Sequence, residues 1–149
     1  MAKIIAVTNQ KGGVGKTTTT VNLSSCLAYM GKKTLLVDCD PQGNSTSGLG
    51  LEKSDYTLSV YDCLVDSEKT KDAVVKTKYL NLSVIPSSTD LSAAEIELAY
   101  EEKREFFLKK AISLVKEDFD FIIIDSPPSL GMITINILTA ADSVLIPIQ

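Results

Sequence analysis

The sequence predicts an α/β fold in which a mostly parallel sheet carries helices on both faces. Three observations predict it: five short apolar, β-branched runs, helical patterns between them, and a glycine-rich loop directly after the first run. The runs are KIIAVT from Lys3, KTLLVD from Lys33, LSVIPS from Leu82, FDFIIID from Phe119 and SVLIPI from Ser143. They are continuous rather than alternating, as strands buried on both faces require. Strands that alternate with helices pair in parallel, because each return to the same end of the sheet needs a crossover.

The first strand leads into TNQKGGVGKTTTT, Thr8 to Thr20. The phosphate-binding loop pattern is Gly, any four residues, Gly, Lys, then Ser or Thr. Gly15, Lys16 and Thr17 complete it, whereas Gln10 stands in the place of the first glycine and an additional lysine, Lys11, follows. Backbone N–H groups of such a loop turn toward phosphate oxygens, and the helix that starts near Lys16 favours an anion at its amino end. Lys16 is expected to reach the β- and γ-phosphates, and the Thr17 hydroxyl to bind magnesium. The predicted architecture is thus of the P-loop NTPase type.

In the first helix Leu23, Cys26, Leu27 and Met30 recur at i, i+3, i+4 and i+7, which predicts its buried face, and Gly31 predicts its left-handed stop. The second strand ends at Asp38 and Asp40, inside DCDPQGNSTSG, where Pro41, Gly43 and Asn44 build a turn. Carboxylates two residues apart on an extended chain point to opposite sides, so these two are expected to do different work. Segment 44–81 is less regular and predicts short helices over the sheet edge. Ser92 to Glu95 fits a capping box, and Leu108, Ala111, Ile112 and Val115 give another apolar stripe. Asp125 closes FIIID, where a P-loop protein places the carboxylate that holds the water shell of magnesium.

Composition narrows the function classes. The 149 residues include 44% hydrophobic side chains and no tryptophan, enough for one domain over residues 1–149 with a core of its own. Met1 leads straight into KIIAV, a run too short for a secretion signal, and no apolar run has the length of a membrane span. A cytoplasmic protein is expected. Cys26, Cys39 and Cys63 form no Cys-x-x-Cys pair, which argues against a disulfide framework or a zinc site. The net charge is −4, with +3 over residues 1–53 and −7 over residues 54–149, so no broad basic face for nucleic acid is visible. The chain stops at Gln149 directly after an apolar strand, an ending expected of the front part of a longer protein. Such a piece is expected to expose apolar surface and to self-associate.

KGGVGKTTT, DCDPQGNSTSGLG and IIIDSPPSLG, in this order and at this spacing, resemble the ParA/Soj chromosome- and plasmid-partitioning ATPases of the deviant Walker A group. MinD and the nitrogenase iron protein belong to the same group. The resemblance implies an ATP- and Mg²⁺-dependent switch that hydrolyses ATP to ADP and phosphate, slowly without a partner. It implies an ATP-dependent homodimer, a centromere-binding ParB/Spo0J-like partner protein, no membrane, nucleoid association, and non-specific DNA contacts through a C-terminal part absent from this chain. Residue by residue, Lys11, Gly12, Gly13, Val14, Gly15, Lys16, Thr17 and Thr18 match the nucleotide loop, with Lys11 reaching the phosphates held by the other subunit and Gly12 at the tight interface. Lys11, Lys16 and Asp40 match the catalytic positions, and Thr17, Asp38 and Asp125 those around the metal. Pro127 and Pro128 match a segment that responds to the γ-phosphate. The alternatives are a MinD-like ATPase, which needs an amphipathic C-terminal helix; an iron–sulfur carrier or scaffold, disfavoured because SPPSLGMITINI has no cysteine; and a synthetase that phosphorylates a small-molecule carboxylate.

Overall fold

Six strands, β1 (Lys3–Val7), β2 (Thr34–Asp38), β3 (Val75–Lys76), β4 (Leu82–Ile85), β5 (Phe121–Asp125) and β6 (Ser143–Leu145), form one sheet in the order β3-β4-β2-β5-β1-β6. The computed structural model describes residues 1–9, 11 and 15–148, so the expectations for Gln10, Gly12, Gly13 and Val14 lie outside the described residues. All five apolar runs are strands and pair in parallel. The two-residue β3 is additional and runs antiparallel to β4 at one edge.

β2 is buried at every position, and β5 at all but its first. Alternate residues of these strands point to two cores. Leu35, Val37, Ile122 and Ile124 face the larger one, which is completed by α3 (Val60–Val65), α5 (Leu91–Glu97), α6 (Phe107–Ser113) and α7 (Met132–Ala140). Leu36, Leu82 and Val84 face the smaller one, under Ala28 and Val21 of α1 (Lys16–Tyr29) and Leu49 beyond α2 (Asn44–Gly48). Segment 44–81 is the expected set of short helices, ending in α4 (Thr70–Ala73) and β3.

Two expectations are corrected. The buried face of α1 is Lys16, Thr20, Ser24 and Ala28, not the stripe Leu23, Cys26, Leu27 and Met30. Leu23 and Leu27 are half-buried, Cys26 is exposed and Met30 is 70% exposed. Small side chains let the helix lie close over β1, β2, β4 and β5, and the Thr20 hydroxyl satisfies itself on the Lys16 carbonyl at 2.8 Å. Gly31 does stop the helix, at φ +86°. The capping box at Ser92 and Glu95 does not form. A turn at Ser88–Asp90 already starts α5 at Leu91, which leaves Ser92 inside the helix and the Glu95 carboxylate free to bind elsewhere. Capping boxes close instead at Glu52/Asp55 and Ser59/Asp62.

The burial pattern makes a direct prediction. Ile124→Ala, in the larger core, is expected to lower unfolding free energy by about 2–5 kcal/mol, whereas Met30→Ala changes it by less than about 0.5 kcal/mol. Urea titration followed by circular dichroism measures both, and a large loss for Met30→Ala would restore the discarded stripe.

Candidate nucleotide-binding site

The register of the sheet aligns three strand ends. Val7 pairs with Asp125 and Asp125 with Asp38, so the loop after β1 and two carboxylates open on one crevice at the carboxyl ends of the strands. Gly15 precedes α1 in the left-handed conformation, φ +78°, which a glycine adopts freely. Its carbonyl accepts from the Thr19 N–H at 2.8 Å, which starts the helix and sets Lys16 and Thr17 over the crevice.

Asp125 is wholly buried, and the site converges on it. Its Oδ2 accepts hydrogen bonds from Thr17 Oγ1 at 3.0 Å and Ser45 Oγ at 2.5 Å. Oδ1 has no hydrogen-bond partner among the described residues; its nearest cation is Lys16 Nζ at 3.8 Å. Lys16 Nζ also stands 3.9 Å from Asp40 Oδ2, so one buried ammonium lies between two carboxylates at a distance that leaves it short of either. Its hydrogen-bonding capacity is thus largely unspent, as is one oxygen of Asp125.

Asp38 and Asp40 are divided as expected. Asp38 Oδ2 accepts from both the N–H (2.8 Å) and the hydroxyl (2.7 Å) of Thr46, while Oδ1 accepts from the Asp40 N–H at 3.2 Å. Asp40 turns the other way, toward Lys16, and its Oδ1 accepts from the Gln42 N–H at 3.0 Å. The structure therefore brings Lys16, Thr17, Asp40 and Asp125 together and sets Asp38 beside them with its oxygens already engaged. Thr18 is exposed on the first turn of α1. Lys11 is exposed, with its N–H on Asn9 Oδ1 at 2.9 Å, and pairs with none of these carboxylates.

Ser45, Thr46 and Ser87 were not anticipated. Ser87 donates its hydroxyl to the Asp40 carbonyl and its N–H to Thr46 Oγ1 (3.1 Å), which ties the loop after β4 to the loop after β2. The signal was available for two of them: NST follows DPQG directly, and hydroxyls placed just after a turn at a strand end fall on the same crevice.

The donor set suits a magnesium ion that keeps most of its ligands as water and phosphate oxygens. Thr17 supplies a hydroxyl, and Asp125 Oδ1 is an orphaned carboxylate oxygen able to accept from a metal-bound water. Among the described residues no three His, Cys, Asp or Glu side chains group as a metal centre, so an all-protein cage is not what this crevice provides. Cys39 and Cys63 are buried in the larger core, and burial pushes both thiols up, which keeps them inert.

Burial also raises Asp125, against the lowering effect of Ser45, Lys16 and Thr17, and raises Asp38 from 3.8 to about 7 despite its Thr46 hydrogen bonds. The native state then holds protons that the unfolded chain has released. Stability from this source is complete below pH 4, falls as pH rises toward 7, and levels above it. Asp38→Asn, the neutral isostere, is expected to flatten the decline between pH 4 and 7 in urea titrations. Parallel pH profiles for variant and wild type would show that Asp38 is ionised throughout.

The AAA domain family (AAA_31) matches residues 2–149. The chain is 61% identical over 149 residues to the sporulation initiation inhibitor protein Soj of Bacillus subtilis and 48% identical to the chromosome partitioning protein ParA of Myxococcus xanthus; it is covered completely in both comparisons and spans 59% and 53% of their lengths. Among solved structures, the cobyrinic acid a,c-diamide synthase of Mycobacterium smegmatis, with bound ATP analogue and magnesium, superposes with a TM-score of 0.95 at 42% identity, covering 100% of this chain and 61% of that one. The chain therefore belongs to the AAA domain family, and over its whole length it is similar to the Soj and ParA proteins.

Proposed function

We propose that this chain forms the nucleotide-binding part of a ParA/Soj-type partitioning ATPase. The observation that carries the reading is Lys16 suspended between Asp40 and Asp125 at 3.9 and 3.8 Å, with Thr17 on the far oxygen of Asp125. A cation and a hydroxyl held over two carboxylates at a helix start match the needs of a magnesium-bound triphosphate. Relatives bound to an ATP analogue with magnesium support the same ligand here.

Magnesium, when bound, would offset the charge of the phosphates. Lys16 leaves its carboxylates for the β- and γ-phosphates. Thr17 would hold the metal through its hydroxyl, which here lies on Asp125. Asp125 would hold the water shell of the metal through Oδ1, with Asp38, fixed by Thr46, one strand away. Asp40, held in place by Gln42 and Ser87, orients the attacking water and takes its proton. Lys11, which is exposed, reaches the phosphates of a second subunit, so ATP joins a homodimer; the charge of the phosphates is fully met only when both cations are docked. Hydrolysis to ADP and phosphate is slow until a ParB/Spo0J-like partner engages. Non-specific DNA binding, and with it nucleoid association, belongs to residues outside this chain. Among the described residues no helix is long and apolar enough to cross a membrane.

One observation favours a second reading. The similarity to a cobyrinic acid a,c-diamide synthase would suit an enzyme that activates a small-molecule carboxylate on the same loop. ATP turnover that starts only when such an acid is added would establish it.

Light scattering with and without Mg-ATP tests the switch. ATP is expected to double the mass of the wild-type chain, Lys11→Ala to abolish the doubling, and Asp40→Ala to prolong it by slowing hydrolysis at least tenfold. Lys16→Ala is expected to remove binding of a fluorescent ATP analogue. Dimerisation indifferent to nucleotide, with Lys16→Ala binding as wild type, would refute the reading.

A further inference from the structure

The amino end of α7 carries no cap of its own. Gly131 occupies the N-cap position and has no side chain to offer, so the first N–H groups of this nine-residue helix need acceptors from outside. Glu95, on α5 and 37 residues away in sequence, supplies them: one carboxylate oxygen accepts from the Met132 N–H at 2.5 Å and the other from the Ile133 N–H at 3.2 Å. A carboxylate is also the charge a helix amino terminus favours.

Gly131 has no backbone reason to be glycine. Its φ of −82° and ψ of −169° are open to any residue. What excludes a side chain is clearance, because a Cβ at this position would collide with the Glu95 carboxylate. The glycine and the glutamate therefore form one device.

The body of α7 is secured separately. Asn136 accepts from the Leu108 N–H at 3.0 Å and donates to the Arg104 carbonyl at 2.9 Å, which binds the middle of the helix to α6 and the turn before it. Only its first turn depends on Glu95. Between Asp125 and that turn lies Ser126–Gly131. Its near end is pinned by Ser126, whose hydroxyl donates to the Val7 carbonyl at 2.8 Å, and its far end by Glu95. The stretch Pro128–Leu130 between these pins is exposed. On the other side, α5 follows the loop in which Ser87 grips the Asp40 carbonyl and Thr46.

We propose that Glu95 is a positioning residue for the loop Ser126–Gly131, setting it relative to the Asp40 loop so that a terminal phosphate meets both at once. The role rests on the reading of the site as an ATP site. Without Glu95 the loop keeps Ser126 at its near end and, in its middle, the Thr134 hydroxyl on the Ser129 carbonyl at 2.6 Å, but Thr134 then sits on a helix start that has lost its cap; reordering the loop opposes binding of the nucleotide that touches it, while a nucleotide lacking the γ-phosphate is indifferent.

Affinities for Mg-ADP and for a non-hydrolysable Mg-ATP analogue, measured on the wild-type chain and on Glu95→Ala, Glu95→Gln and Gly131→Ala, test this. Glu95→Ala is expected to weaken the ATP analogue roughly five- to tenfold while ADP stays within about twofold. Glu95→Gln, which keeps one acceptor oxygen, falls between Glu95→Ala and wild type. Gly131→Ala, which displaces the carboxylate, resembles Glu95→Ala. Hydrogen exchange at Met132 and Ile133 is expected to quicken in Glu95→Ala with the α7 amides beyond Asn136 unchanged. Equal changes for both nucleotides, or none, would mean a merely structural cap and overturn the positioning role while leaving the ATP site standing. A wild-type chain that binds neither nucleotide would overturn the ATP reading and this role with it.

Discussion

A carboxylate withdrawn wholly from water must be satisfied by what surrounds it, and Asp125 at the end of an inner strand makes that demand on the whole crevice. Thr17 from α1, Ser45 from α2 and Lys16 from the loop–helix junction all answer it. α1, α2 and β5 lie apart in sequence, so the burial of one side chain ties the starts of two helices to the end of a strand. The demand is deliberately incomplete: Oδ1 stays without a donor, and Lys16 remains a long 3.8 Å away. A site finished by its own side chains would have nothing left for phosphate or metal-bound water.

The same geometry separates two acids that sequence places side by side. Alternation along the extended chain sends Asp38 to Thr46 and Asp40 toward Lys16, and the buried Cys39 between them packs into the larger core. Asp38 is thereby made structural and electrostatic, with its hydrogen-bond acceptors in use. Asp40 keeps one oxygen toward the crevice. Ser87 then links the loop after β4 to both acids, which spreads the site over the ends of β1, β2, β4 and β5.

Polar anchors add direction to the apolar packing that joins the outer helices to the sheet. Glu95 holds α7 by accepting from the N–H groups of its first turn, and Asn136, in its middle, bonds backbone groups of α6 and the turn before it. Backbone hydrogen bonds are directional, so they transmit position where an apolar contact would slide.

Five of the six strands, the helix starting at Lys16, its stop at Gly31, and the strand-end carboxylates were legible from residue type and spacing. Local chemistry alone decides them: β-branched runs pair, Gly15 accepts a positive φ, and a P-loop pattern leaves a lysine at a helix amino end. The inward face of α1 was not legible, because hydrophobic periodicity favours the stripe of larger residues, whereas the space over β2 and β5 admits only Thr20, Ser24 and Ala28. Nor was the partner of Glu95. A carboxylate three residues after a serine reads as its local cap until the fold places an uncapped helix end, and a glycine that leaves room, within its reach. Sequence determined which chemistry the chain carries; tertiary structure decided which groups spend it on each other and which remain open, because burial and reach depend on elements distant along the chain.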